Sequence, residues 1–320
     1  MLTRRHWLAA ALALGLATPA AAQEAAPAKI PVVATFSILG DFVRQVGGDR
    51  VAVSTLVGPN GDAHVFQPSP ADAKKVAAAK LVFVNGLGFE GWIDRLVKAS
   101  GTKAEVVVAT TGIAPREMAE EKDDHDHDHG KKADAHDHDH GHDHGGTDPH
   151  AWQSVDNAEV YVANIRDALI AADPAGKATY EANAAAYTAK LDALDAQVKA
   201  AIAAIPAERR RIITSHDAFG YFGAAYGMDF VAPQGVSTES EASAKDVARI
   251  IRQIKASKIP AVFMENISDP RLVKRIAAET DAKIGGELYS DALSDDKGPA
   301  STYIDMMQNN IRQFSAALSS

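Results

Sequence analysis

Twelve histidines and no cysteine set the chemistry open to this sequence. Without thiols there are no disulfides, thiolate metal sites or thiol nucleophiles, so any metal must be held by imidazoles and carboxylates. Outside the N-terminal leader and one histidine-rich tract, only His64, His150 and His216 remain. Each falls in a loop beside the end of a predicted strand or helix. Asp291 joins them, following a predicted strand in the run Tyr289-Ser290-Asp291-Ala292-Leu293. In open parallel sheets ligands sit beyond the carboxyl ends of strands, so these four positions can share one cleft. Three neutral imidazoles and one carboxylate make a closed tetrahedral set that suits Zn2+, with bonds of about 2.0–2.2 Å. Manganese prefers more oxygen. Spacing alone carries no short-motif signature here, and a lone histidine is more often structural, so the residue types leave both readings open.

Two further carboxylates stand near these positions. Glu265 ends a predicted strand at the same end of the sheet as His216. It either accepts an imidazole N–H behind the metal or serves as a capping or salt-bridging carboxylate. Asp62, two residues before His64, offers an alternative carboxylate contact. Trp152, Phe66, Phe219, Tyr221 and Phe222 flank the ligands as packing that shields them.

The histidine-rich tract holds His125, His127, His129, His136, His138, His140, His142 and His144, mostly alternating with aspartate. With an ordinary pKa near ~6.5, imidazoles are mostly neutral at pH 7 and open to metal. Binding in such a segment is weak and multiple, because each ion must order the chain. Three roles compete: an accessory collector of zinc, a surface for partner recognition or metal sensing, and a dispensable solvated insert.

The elements that must position these residues follow a βα rhythm, which signals an α/β fold with mostly parallel sheets flanked by helices. Strands are predicted over Val32–Phe36, Val51–Val57, Leu81–Asn85 and Val106–Ala109, with helices over Ile38–Val46, Ser69–Ala78 and Gly91–Ala99. About 116–147 the composition becomes Asp, His, Gly, Lys and Ala, too polar to form a core, and reads as a loop inside the first domain. Asn157–Ala171 is an amphipathic helix. From Pro174 to about Ile205 runs an alanine-rich helix with Tyr180, Tyr187, Leu191, Leu194 and Val198 on one face. At 1.5 Å per residue its ~30 residues span ~45 Å, which makes it a rod between two lobes. The rhythm then repeats, with strands over Arg211–Ser215, Phe230–Ala232, Ala261–Glu265 and Ile284–Leu288 and helices over Ala244–Ala256 and Pro270–Glu279. The expected organisation is a signal peptide over 1–22, an N-terminal lobe over 23–173, a linker helix over 174–205 and a C-terminal lobe over 206–320, with the metal in the cleft between lobes.

The first residues read as an export signal: Arg4 and Arg5, an apolar run from Trp7 to Ala17, and small residues Ala20-Ala21-Ala22 before Gln23. That run is too short to span a bilayer. With no cysteine to carry a lipid, the mature chain is expected free in the periplasm. A net charge of −9 and the absence of a basic tract argue against nucleic acid. No Walker-type phosphate loop is present, so energy for any transport must come from a partner. No HExxH-like motif is present and four protein ligands leave no open position for water, which argues against a zinc hydrolase.

Five segments carry a family likeness. The run from Gly58 through His64 to Pro70 resembles the first-histidine segment of the cluster A-I zinc- and manganese-binding proteins of ABC importers, and so does Ala79 to Trp92 after it. Asp148-Pro149-His150-Ala151-Trp152 looks like the family's second-histidine motif, Ser215-His216-Asp217-Ala218-Phe219-Gly220-Tyr221-Phe222 its third, and Ser290-Asp291-Ala292-Leu293-Ser294 its closing aspartate segment. The likeness runs from about Ile30 to the C-terminus, interrupted only by the histidine-rich tract. One departure is Ala63, where many members have proline before the histidine. The resemblance implies two lobes bridged by a rigid helix and ligation by His64, His150, His216 and Asp291. A histidine at the third position, where manganese binders tend to carry glutamate, points to the zinc branch, as does the histidine-rich loop.

The function so implied is capture of Zn2+ in the periplasm, as a monomer, and delivery to a membrane permease with a cytoplasmic ATPase, with a periplasmic metal donor as a further partner. The rivals are a manganese or iron carrier on the same fold and a metal-dependent adhesin. A stiff linker helix predicts a modest closing motion, with release through loop rearrangement at the permease.

Overall fold

A computed structural model describes residues 28–117 and 146–319. The signal segment over 1–22 and the eight histidines from His125 to His144 lie outside the described residues.

The chain opens with β1 (Ile30–Phe36), α1 (Ser37–Gly47), β2 (Val51–Val57), α2 (Pro70–Ala78), β3 (Leu81–Val84), α3 (Ile93–Ser100) and β4 (Glu105–Val108). Four of these strands form a parallel sheet in the order β2-β1-β3-β4. β1 and β3 are central and buried on both faces, as their near-continuous apolar sequences require. α2 starts where the sequence signals it: Pro70 follows Ser69, whose hydroxyl accepts from Asp72 N–H while the Asp72 carboxylate accepts from Ser69 N–H.

Next come β5 (Arg116–Glu117) and β6 (Thr147–Asp148), which pair antiparallel. The predicted loop over 116–147 thus has paired strand residues at both ends, and the rest of it, 118–145, lies outside the described residues. α4 (Val155–Ala172) leads to α5 (Lys177–Ala203), a single helix of 27 residues. Pro174 to Gly176 form a separate 3-10 turn, and the helix ends as the chain approaches Pro206, which disfavours helical backbone before it.

The second half contains β7 (Arg211–Ile213), α6 (Gly220–Tyr226), β8 (Asp229–Val231), α7 (Ala244–Ser257), β9 (Ala261–Glu265), α8 (Arg271–Ala278), β10 (Lys283–Leu288) and α9 (Tyr303–Leu318). Its parallel sheet runs β10-β9-β7-β8. The β9–β10 register shifts between Ile284 and Glu287, where Gly285 lies over the Phe263 ring so closely that a Cβ would stand 2.3 Å from it.

The result is an α/β fold of two lobes with a long bridging helix. α5 packs against α1, α4, α6 and α9. Its buried residues Tyr180, Ala184, Tyr187, Leu191, Leu194, Val198 and Ile202 recur every three or four positions. One apolar core runs from β1 and β3 through α5 to Phe263, Leu288 and Phe314, so the lobes share packing along the bridge. A smaller core of Ile213, Val247, Ile250, Val262 and Ile276 lies beneath α7 and α8. In both sheets the strand order reverses beside the first strand, so β1/β3 and β7/β9 are topological switch points. Ligands gather in the crevice beyond such points.

Candidate metal centre

His64 follows β2 on the loop that precedes α2. Asp62 Oδ1 accepts the His64 backbone N–H at 2.9 Å, and the preceding carbonyl, of Ala63, accepts from Trp92 Nε1 at 2.7 Å. Phe89 packs edge-on to the His64 ring at 4.7 Å. The loop that lacks a proline at position 63 is thus held by the indole and the aspartate. His150 follows β6. Asp148 Oδ1 accepts from both its backbone N, at 3.0 Å, and its Nδ1, at 2.9 Å, which places the ring proton on Nδ1 and leaves Nε2 for a ligand.

His216 lies beyond β7, and Glu265, at the end of the neighbouring β9, backs it. Glu265 Oε1 accepts from Ser215 N at 2.6 Å and His216 N at 3.0 Å, and its Oε2 stands 2.6 Å from His216 Nδ1. Asp291 follows β10, and its loop is anchored by Trp152 Nε1 and Gln153 Nε2, which both donate to Ser290 O, at 2.9 and 2.8 Å.

These four loops converge. His64 Nε2 and His216 Nε2 each stand 3.1 Å from Asp291 Oδ2, His64 Nε2 and His150 Nε2 are 3.3 Å apart, and His150 Nε2 is 3.5 Å from Asp291 Oδ1. One ligand atom from each of the four residues lies within 4.8 Å of all the others. His150, His216 and Asp291 are fully buried and His64 is 6% exposed. The edge of a tetrahedron with bonds of about 2.0–2.2 Å is roughly 3.3–3.6 Å, close to these spacings. Asp291 Oδ1 is buried with no hydrogen-bond partner among the described residues. A buried acceptor of this kind needs a donor or a cation.

The electrostatics point the same way. Burial alone would push the His150 imidazole down, but the carboxylates of Asp291 and Asp148 outweigh it and raise its pKa to about 9. For His216, burial is likewise outweighed by Glu265 and Asp291, and its pKa rises well above the ordinary value. Asp291 is opposed by burial but held well below the usual carboxylate range by His150 and His216. Without metal, protons stand in for the cation; a divalent ion would displace them.

Of the residues singled out from sequence, His64, His150, His216 and Asp291 come together. Glu265 combines both places expected of it: Oε2 stands 2.6 Å from His216 Nδ1, and Oε1 holds the backbone N–H groups of Ser215 and His216. Asp62 does not approach as an alternative ligand: its Oδ1 holds the His64 backbone and its Oδ2 accepts from Thr238 Oγ1 at 2.6 Å, which ties the His64 loop to the second lobe. Asp148 was not singled out. The signal for it was the repeated spacing, since Asp62-Ala63-His64 and Asp148-Pro149-His150 each put an aspartate two residues before a histidine.

A two-lobed α/β fold with an enclosed imidazole–carboxylate cluster in the cleft defines a metal-binding solute receptor rather than an enzyme. Residues 32–317 match the family ZnuA, described as zinc-uptake complex component A periplasmic, and the chain belongs to that family. The iron-binding protein YfeA of Yersinia pestis is 35% identical over 283 residues, covering 88% of this chain and 84% of that protein. The manganese-binding lipoprotein MntA of Halalkalibacterium halodurans is 34% identical over 290 residues, covering 91% and 89%. Among solved structures, the periplasmic zinc-binding protein TroA of Treponema pallidum superposes with a TM-score of 0.80 at 30% identity, covering 92% of this chain and 100% of that one. The protein is therefore the extracytoplasmic metal-binding component of an ABC transporter, which implies a permease and an ATPase. Several relatives are named lipoproteins, whereas this sequence contains no cysteine.

Proposed function

We propose that this protein captures Zn2+ in the periplasm through His64, His150, His216 and Asp291 and delivers it to the permease. The observation that carries this reading is the enclosed set of three imidazole nitrogens and one carboxylate, all within 4.8 Å, with two of the imidazoles backed by the carboxylates of Asp148 and Glu265. A nitrogen-rich, four-residue set favours zinc. The same reading takes residues 23–173 and 206–320 as lobes and 174–205 as their linker. It takes the protein as a monomer free of a lipid anchor, with a periplasmic metal donor as a further partner, and His125 to His144 as a weaker collector of zinc for the cleft.

Manganese or iron is the second reading. Relatives named for iron and manganese favour it, and so does one geometric feature: both oxygens of Asp291 face imidazoles, at 3.1 and 3.5 Å, so a bidentate carboxylate could raise the coordination number. Competition separates the two. The purified mature chain is offered equimolar Zn2+, Mn2+ and Fe2+ without oxygen, and the retained metal is measured. Zinc in one equivalent is the expected result, and retention of manganese or iron against zinc would overturn the assignment. Membrane fractionation of the native host separates a free protein from an anchored one.

A further inference from the structure

The β5–β6 ribbon does more than join two stretches of chain. It lies against the start of α6, the helix that begins four residues after His216. The backbone N–H of Arg116, in β5, donates to the Tyr221 hydroxyl of α6 at 2.9 Å. Its Nη1 reaches Asp148 Oδ2 at 3.3 Å, while the other oxygen of that carboxylate holds His150 Nδ1. The pair sits directly on Gly220, where a Cβ would stand 2.2 Å from Arg116 Nη1 and 2.5 Å from Asp148 Oδ2. Only glycine leaves room for it.

Charge gives the arrangement a reason. A divalent ion with the carboxylates of Asp291, Asp148 and Glu265 carries one net negative charge, and all three side chains are buried. The Arg116 guanidinium offsets that charge from the rim, with its side chain 39% exposed while that of Asp148 is 0% exposed. Ligand-backing carboxylates keep their place only when they are themselves held.

We propose that Arg116 is a positioning residue for the metal site: through Asp148 it fixes the orientation of His150, and through Gly220 and Tyr221 it straps the His150 loop to the helix that follows His216. The strap makes ion release depend on the ribbon letting go of α6. This rests on the reading of His150 as a ligand.

The test uses the mature chain loaded with one equivalent of zinc chloride and mixed rapidly with excess chromophoric chelator. Arg116→Gln and Gly220→Ala are expected to raise the zinc dissociation rate about tenfold, with Arg116→Lys between them and the unaltered chain. Tyr221→Phe removes the acceptor for the Arg116 N–H and is expected to act in the same direction. The thermal midpoints of the metal-free forms are measured beside the rates. A merely structural role would lower those midpoints and leave the dissociation rate alone, and that outcome for Arg116→Gln overturns the proposal. His150→Ala tells the two readings apart. If it loses tight binding while Arg116→Gln releases zinc at the unaltered rate, only the strap fails; if it keeps tight binding, the ligand assignment fails and the strap with it.

Discussion

Asp148 Oδ1 accepts two hydrogen bonds from His150, one from the backbone N–H at 3.0 Å and one from the imidazole Nδ1 at 2.9 Å. Asp62 occupies the same position relative to His64 but reaches only its backbone N–H. One aspartate therefore orients a ring and the other shapes a loop. Removing a carboxylate behind a metal-bound imidazole typically weakens binding about 10–100-fold. Asp148→Ala is expected to fall in that range and Asp62→Ala to lose less, as measured by competitive titration. Equal losses would mean that the backbone contacts carry the effect.

Glu265 performs two tasks that substitution can separate. Its Oε1 takes the N–H groups of Ser215 and His216, and its Oε2 stands against His216 Nδ1. Glu265→Gln retains an oxygen for the two amides, so it should lower metal affinity with a small loss of metal-free stability. Glu265→Ala leaves both amides unpaired, at about 1–3 kcal/mol each. Thermal melts of the metal-free variants check this, and a Gln variant as unstable as the Ala variant would contradict it.

The raised imidazoles give the metal-free protein a pH signature. His150 has a folded pKa of about 9 against an ordinary ~6.5, because the Asp291 and Asp148 carboxylates outweigh its burial. Its contribution to stability is therefore fully present below ~6.5 and lost as pH rises toward 9. His216, also raised, acts in the same sense. Asp291, depressed below its ordinary value, contributes above ~3.9 and loses that contribution in stronger acid. The melting temperature of the metal-free form should fall between pH 6.5 and 9. Metal binding should tighten over the same window and release about two protons per ion at pH 7. Calorimetry in buffers of different ionisation enthalpy counts those protons, and a count near zero would contradict the charge assignment.

Much of this architecture was legible in the sequence. Val51–Val57 and Ala261–Glu265 stand as predicted, because β-branched and aromatic runs between turn residues leave little choice. The bridging helix was legible from its three-and-four spacing. Two helices were not. α6 holds two glycines and five aromatic or alanine residues in only seven positions, too short for a period to show. α9 has Met306, Met307, Ile311, Phe314 and Leu318 at helical spacing and a Thr302 cap with Asp305, but it follows a stretch of loop that carries no strand to set the rhythm. At the site, the four converging residues were readable because few histidines were available. Which carboxylate backs which ring depends on strand order: Glu265 meets His216 because β9 lies beside β7, a fact of tertiary pairing.

The shared core along α5 limits how far the lobes can part. Leu191 of α5 is fully buried in that core, and Leu191→Ala should cost about 2–5 kcal/mol of metal-free stability. Small-angle scattering of metal-free and zinc-loaded forms should show only a slight compaction on loading. A wide opening would mean that the helix bends and the core divides.

The central claim is that the tight site is the cleft and not the histidine-rich tract. Glu117 pairs with Thr147, so the chain can be rejoined across residues 118–145 by a short turn without disturbing the ribbon. A competitive zinc titration of that deletion beside the intact mature chain tests the claim most directly. One tight equivalent should survive the deletion while the weaker ones vanish. Loss of tight binding with the tract would show that His64, His150, His216 and Asp291 are not the principal binder.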